Sequence, residues 1–319
     1  DAKEIAKSGD SCSMSHLGIG LCGQVNAVSG LNTKVAKKMF PGTNIHPITN
    51  GVHHITWTSD PFKSLFDKET EEWRADPTHI RKMKLSDEDL LITKEKSRNE
   101  LRYFVEKETG VQLDPEKLTI GFARRFASYK RANLIFKNLV RLRNIGSNKI
   151  QFVFSGKAHP KDLGGKKLIK SIYDGGRKIQ HEIPVVFLEN YSMHTGLLMT
   201  AGSDVWLNNP IRPMEASGTS GMKAALNGTP NCSILDGWWP EACIHGKNGW
   251  AIGAGEDQRD DERDATNILD VLENEILPTW ENKDLWLEII RQSIYTSVGF
   301  TGTRMMEDYQ NFYNSFGTI

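Results

Sequence analysis

Five short apolar runs, each bounded by Gly, Pro or Asn, constrain the fold of this chain more than any other feature. They are Leu118 to Ala123, Gln151 to Ser155, Pro184 to Leu188, Asp204 to Leu207 and Cys232 to Leu235, with helical patterns between them. A short apolar run flanked by turn formers is the pattern of a strand buried on both faces. Strands that alternate with helices pair in parallel, because each return passes through a helix rather than a tight turn. The predicted fold class is therefore α/β, a doubly wound parallel sheet. Ligands of such sheets collect outside the carboxyl ends of the strands. Arg124 and Arg125 follow the first run, Lys157 the second, Glu189 to Tyr191 the third, and Asn208 to Lys223 the fourth.

The flanking regions are more helical. Residues 1 to 49 hold an apolar Gly-rich stretch at Leu17 to Gly23 and an amphipathic helix predicted over Val25 to Met39, which Pro41-Gly42 stops. A charged helical hairpin comes next, Asp60 to Phe66 and Asp87 to Thr109, where Leu90, Leu91, Leu101, Phe104 and Val105 form the apolar stripe. After the last run, an acidic helix is predicted over Asp257 to Glu275, then helices over Lys283 to Val298 and Thr303 to Phe316, all with structural roles.

Composition narrows the function classes. The 319 residues carry 40 Lys and Arg against 40 Asp and Glu, so no basic face for nucleic acid is implied. A chain 38% hydrophobic and 25% charged is globular. It holds no apolar run of about 18 residues, and no membrane partner is expected. Cys12, Cys22, Cys232 and Cys243 form no Cys-x-x-Cys pair, which points to a reduced cytoplasm. His53-His54 and the other histidines lack metal-ligand spacing, so no metal is expected. The chain opens on Asp-Ala-Lys-Glu, and the expectation is that it begins inside a larger gene.

The chemistry concentrates in Glu215-Ala-Ser-Gly-Thr-Ser-Gly-Met-Lys223. Gly218 and Gly221 let backbone approach an anion closely, and a helix N-terminus offers unpaired N–H groups and a positive dipole end. Lys223, at the helix start, is suited to pair with an anion or to join a phosphorylated aldehyde cofactor as a Schiff base. A plain Gly/Ser-rich loop before a structural helix is the alternative. The spacing is not that of a Walker loop, which argues against a nucleoside triphosphate. Trp238 and Trp239 are read as core residues in preference to sugar-stacking platforms.

This segment resembles the pyridoxal phosphate site of the α-glucan phosphorylases, the glycogen, starch and maltodextrin phosphorylase family, with only the Ser220-Gly221 order departing over nine positions. Phe187-Leu-Glu-Asn-Tyr191 and Gly121-Phe-Ala-Arg-Arg-Phe-Ala-Ser-Tyr-Lys-Arg131 are similar to further family segments, and weaker likeness occurs at Asn50-Gly-Val, Gly156-Lys-Ala and Phe300 to Tyr309. Asp236-Gly-Trp-Trp-Pro-Glu241 looks like the short bacterial and archaeal branch. The resemblance implies the C-terminal portion of a two-Rossmann (GT-B) glycosyltransferase. Residues 1–49 would be the tail of its N-terminal domain, 50–319 the Rossmann-like cofactor and phosphate domain, and 301–316 a crossing helix. It also implies phosphorolysis of an α-1,4-glucan or maltodextrin by inorganic phosphate, releasing glucose 1-phosphate with retention.

By matching positions, the resemblance implies catalytic roles for Arg125, Lys130 and Lys223, with Arg125 on the substrate phosphate. Pyridoxal 5'-phosphate would be held by Lys223, Thr219, Ser220, Lys130, Arg124 and Tyr191. Arg124 stands where the family commonly has lysine. Asn50, Glu215, Ser217 and Gly218 would contact the glucosyl unit. In the family the Schiff base to the lysine is an anchor, and the cofactor phosphate passes a proton through inorganic phosphate. Two adjacent phosphates need cations around them, a role for Arg124, Arg125, Lys130 and Lys223. The family's large N-terminal domain has no counterpart here beyond residues 1–49, so the expectation is a chain that binds cofactor but has little or no activity without that partner domain. A homo-oligomer is left open. The alternatives are a nucleotide-sugar-dependent glycosyltransferase, which shares the fold and the Arg125 to Lys130 spacing, and a non-catalytic glucan-binding fragment.

Overall fold

The computed structural model describes residues 6–8 and 11–316. Two short strands, β1 (Val25–Ala27) and β2 (Ile45–Pro47), pair in parallel ahead of the main sheet. That sheet holds six strands: β3 (Leu118–Ala123), β4 (Ile150–Ser155), β5 (Val185–Leu188), β6 (Val205–Asn208), β7 (Asn231–Ile234) and β8 (Gly249–Ile252). All its neighbours are parallel, in the order β8-β7-β6-β3-β4-β5. The longer helices are α1 (Met14–Leu21), α2 (Gly30–Met39), α3 (Asp60–Glu69), α4 (Asp87–Thr109), α5 (Leu139–Gly146), α6 (Leu163–Arg177), α7 (Met193–Gly202), α8 (Thr219–Leu226), α9 (Asp261–Val271), α10 (Lys283–Ser297) and α11 (Gly302–Asn314).

Side chains on successive strand residues point to opposite faces, and both faces are covered. Ile120, Phe122, Phe152, Phe154, Val205 and Leu207 join one core with residues of α5, α9 and α10. Val153, Val186, Leu188 and Trp206 join the other with Leu101 and Val105 of α4 and Met199 of α7. This double burial is why the strands read as continuous apolar runs. Gly121 is required by the second face: a Cβ there would lie 2.1 Å from Ser203 Oγ and 2.8 Å from Ser203 Cβ. Trp238 and Trp239 are both buried, as the core reading expects.

The structure corrects three boundaries. Val25 to Met39 is not one helix: Val25–Ala27 is strand β1, and α2 starts at Gly30, where Ser29 Oγ accepts the Asn32 N–H (3.1 Å) as N-cap. A sixth strand, β8, extends the sheet beyond the five runs. The acidic helix starts at Asp261, with Asp260 accepting the N–H groups of Glu262 and Arg263, and Leu272–Ile276 widens into a π-turn before Leu277–Glu281.

The C-terminal helix α11 returns to the first fifty residues. Tyr309 OH accepts from Asn26 Nδ2 (3.0 Å), and Arg304 donates to the carbonyls of Thr49 (2.7 Å) and Asn50 (3.1 Å). At the sheet's amino edge, Lys94 of α4 is buried and uses its three N–H groups on Ala201 O, Ser203 O and Thr229 Oγ1. Burial lowers its pKa to about 7.

Candidate functional site

Strand order reverses between β3 and β6: from β3 the chain runs outward through β4 and β5, and from β6 it runs the other way through β7 and β8. Such a switch point opens a crevice at the carboxyl ends of its two strands. Arg124 leaves β3 there, and the loop from Asn209 to Gly218 leaves β6. Arg131 braces that loop from inside, donating to Asn209 O (3.0 Å) and Pro210 O (2.7 Å) while pairing with Asp261 and Asp264. A buried carboxylate fixes the loop's end. Asp236 accepts the N–H groups of Glu215 (2.9 Å) and Gly237 (2.8 Å), and burial raises its pKa to about 6. Trp238 N–H then donates to Ser217 O (2.8 Å). Gly218 takes φ +84, a left-handed turn into α8 that favours glycine.

Glu215 is the centre of this arrangement. Its buried carboxylate receives Arg124 (3.1 Å) and Lys130, and Arg124 also donates to Ser220 Oγ (2.9 Å), which the Trp206 indole N–H reaches from the other side (3.2 Å). Burial opposes the carboxylate's charge, but Arg124 and then Lys130 outweigh it and hold the Glu215 pKa below the usual range. The lysine moves down too: burial and repulsion from Arg124 lower Lys130 to about 8 despite its anionic partner. The site is thus a desolvated cation pair offset in part by one internal carboxylate, with one positive charge left over.

Lys223 stands apart from that network. It is half-buried on α8, and its ammonium lies 3.4 Å from the centre of the Trp57 ring. Burial alone lowers its pKa, to about 8. Among the described residues no carboxylate or carbonyl accepts from it. Asn227, four residues further along the chain, holds Trp57 in place by donating to Trp57 O (2.6 Å) and accepting the Ser59 N–H (2.8 Å). Trp57 carried no local signal in the sequence. Its contact with Lys223 exists only once the segment after Asn50-Gly51 folds against α8.

Of the other expected residues, Ser217 is buried with its hydroxyl unpartnered among the described residues, as is Arg124 Nε. Thr219 and Ser220 open α8, whose first turn has no side-chain cap. Tyr191 lies just beyond β5 and packs with Ala224 of α8 in one core; burial raises its pKa, and Arg124's charge acts against that rise. Arg125 is exposed and outside the Glu215 network, although its charge reaches Lys130. Asn50 is half-buried; its N–H donates to Val28 O (3.0 Å), and Ser29 Oγ of the same N-terminal segment donates to Ala216 O (2.8 Å) on the site loop. Lys157 is exposed and makes no ion pair with the cluster among the described residues. The structure brings together Arg124, Lys130, Glu215 and Ser220 on one network; Lys223, on the same helix as Ser220, stays outside it on an aromatic face.

Among the described residues no group of three or more His, Cys, Asp or Glu could hold a metal ion, and no helix is long and apolar enough to cross a membrane. A family model described as carbohydrate phosphorylase matches residues 2–244. The chain is similar to the maltodextrin phosphorylase of Thermococcus litoralis, 39% identical over 97% of this chain and 42% of the relative. It is similar also to the glycogen phosphorylase of Aquifex aeolicus, 36% identical over 91% of this chain and 48% of that protein. A glycogen phosphorylase of Mycobacterium tuberculosis is 34% identical over 94% of this chain and 40% of its own length. The chain spans less than half the length of each of these relatives.

Proposed function

The chain belongs to the carbohydrate phosphorylase family, and from that premise we propose that it supplies the cofactor half of an enzyme that cleaves α-1,4-glucans with inorganic phosphate, releasing glucose 1-phosphate. The observation that carries this reading is the pairing, at one switch point, of a half-buried lysine with no hydrogen-bond acceptor among the described residues and a desolvated Arg124–Lys130 cation pair. Neither feature serves an obvious structural purpose.

The residues present fit pyridoxal 5'-phosphate. Lys223 offers an amine that burial brings close to its neutral form, α8 offers uncapped N–H groups preceded by Gly218, and Arg124 Nε and Ser217 Oγ are buried and unpartnered among the described residues. Lys223 would anchor the group, with Thr219, Ser220 and Lys130 at its phosphate and Arg124 and Tyr191 beside it. When bound, pyridoxal phosphate supplies a phosphate acid beside the substrate phosphate, from which the glycosidic oxygen receives its proton. This chain's residues do the rest. Arg125 binds the substrate phosphate, and Lys130, still charged at pH 7, lowers the cost of placing two anions together. Asn50, Glu215, Ser217 and Gly218 orient the glucosyl unit. An N-terminal domain supplies the facing half of the site, so the chain by itself turns over weakly or not at all. With four free cysteines, it suits the reducing cytoplasm.

The test is to add pyridoxal phosphate, reduce with borohydride and map the peptides. An adduct on Lys223 is expected; adducts spread over surface lysines, with Lys223 unmodified, would overturn the reading.

A further inference from the structure

The loop that leads into α8 is held at three successive residues, and the middle hold comes from outside the main sheet. Asp236 accepts the Glu215 N–H (2.9 Å) and the Trp238 N–H donates to Ser217 O (2.8 Å), both from the segment after β7. Between them Ala216 O accepts from Ser29 Oγ (2.8 Å), 187 residues earlier in the chain. Ser29 is fully buried, and its hydroxyl is used twice, since it also accepts the Asn32 N–H (3.1 Å) as the N-cap of α2.

Glu241 completes the arrangement. The first turn of α2 has no acidic residue of its own, and a helix N-terminus favours a carboxylate through its unpaired N–H groups and positive dipole end. Glu241 supplies one: Oε1 accepts the Gly30 N–H (2.7 Å) and Oε2 accepts from Thr49 Oγ1 (2.7 Å). It stands on the short turn Trp239–Ala242, where its own N–H donates to Trp238 O (3.0 Å). The contacts therefore close a ring that runs from Ser29 to Ala216, along the chain to Ser217, across to Trp238 and Glu241, and back to Gly30. Gly218 follows at once with φ +84, so the direction of the Ser217 hydroxyl and of the first N–H groups of α8 depends on how the peptide between Ala216 and Ser217 is held.

We propose that Ser29 and Glu241 are positioning residues: by closing this ring they hold the Ala216–Ser217 peptide in the orientation that presents α8 to a bound phosphate. Neither belongs to the Arg124–Glu215–Lys130 network, so they act on the ligand only through the loop. The proposal rests on the cofactor reading for the identity of that ligand.

Hydrogen exchange and pyridoxal phosphate titration of the full chain test it on Ser29→Ala, Glu241→Ala and Glu241→Gln, with Asn138→Ala as control. Glu241 is exposed, so its variants keep the test valid if S29A does not fold. Asn138 caps α5 by accepting the Arg141 N–H (2.9 Å), so N138A loses a helix cap outside the ring. Exchange of the Glu215 and Trp238 amides is expected to be about tenfold faster in S29A and E241A, the effect of one or two lost hydrogen bonds, and unchanged in N138A. The dissociation constant for pyridoxal phosphate, read from the absorbance of the Lys223 adduct, is expected to rise by about the same factor, with E241Q between E241A and the parent chain because glutamine keeps one acceptor. The proposal is overturned if those amides exchange at the parent rate in either variant, if N138A matches the two variants, or if the loop loosens while cofactor affinity is unchanged. A parent chain that forms no adduct on Lys223 removes the cofactor reading and this proposal together; a parent adduct that S29A and E241A form equally tightly removes only this one.

Discussion

Replacing Glu215 with Gln removes the carboxylate that pairs with both Arg124 and Lys130. At 3.1 Å the Arg124 contact alone amounts to about 5 kcal/mol at an effective dielectric of about 20. Most of that only offsets desolvation, and breaking a buried pair from one side typically costs about 3–5 kcal/mol. Glutamine retains one acceptor, so about 3 kcal/mol is expected at pH 7, or about 4–5 °C in thermal midpoint for a chain of this size. The pH dependence comes from Lys130. Its folded pKa is lowered to about 8, below the unfolded value, so the protonated lysine is the penalised form in the fold. Without Glu215 that penalty grows; it is present below the folded pKa and relieved as pH rises through it. The deficit of E215Q is therefore larger at pH 7 than at pH 9. Inorganic phosphate narrows the gap between the two proteins, because it can take the place of the lost carboxylate. At ten times its dissociation constant phosphate adds about 1.4 kcal/mol to the variant, and less to the parent, where Glu215 competes. Urea unfolding at both pH values, with and without phosphate, reads all three effects. A deficit below about 1 kcal/mol, or equal phosphate stabilisation of the two proteins, would refute the idea that Glu215 is the internal counter-ion of an anion site.

Amine labelling of Lys223 followed by peptide mapping should show a midpoint near pH 8, where exposed lysines show midpoints above 10; a midpoint above 10 would contradict its burial on Trp57. Asn227→Ala should destabilise the chain by about 2 kcal/mol, from the unpaired Ser59 N–H and Trp57 carbonyl, and should speed Lys223 labelling by releasing the indole; an unchanged labelling rate would show that Asn227 does not position Trp57. Gly121→Ala should cost about 1–3 kcal/mol by overpacking against Ser203. Adding Ser203→Ala should restore only part of it, since the contact with the Ser203 Cβ remains.

Five of the six main strands were legible because burial on both faces forces an unbroken apolar run. β8 was not, for a physical reason: it is four residues long, begins at a glycine with φ +147, and is the edge strand of the sheet, with β7 as its neighbour there. β1 was hidden differently. Three residues of strand run almost directly into the N-cap of α2, where Ser29-Gly30 is the one local break in the pattern, and pairing with Ile45–Pro47 is what makes them strand. Local pattern does not carry information that arises from pairing.

The same limit governs the site. Arg124, Lys130 and Glu215 could be picked out one by one as residues at strand ends, but not as partners, since 91 and 85 residues separate Glu215 from its two cations. Parallel topology brings them together: β3 and β6 are adjacent in the sheet, so the loop leaving one strand meets the loop leaving the other. Two cations clustered there without an anion would repel and pay desolvation twice. Glu215 removes that cost while its carboxylate occupies Arg124 and Lys130. The internal pair leaves Lys223 with no carboxylate to bind, and its ammonium rests on an indole face, which satisfies charge without capturing any of its protons. A cation pair offset in part by one carboxylate at the strand ends and an uncommitted amine on α8 are two consequences of one arrangement. A substitution that frees Arg124 and Lys130 should therefore alter anion binding and leave the Lys223 labelling midpoint where it is.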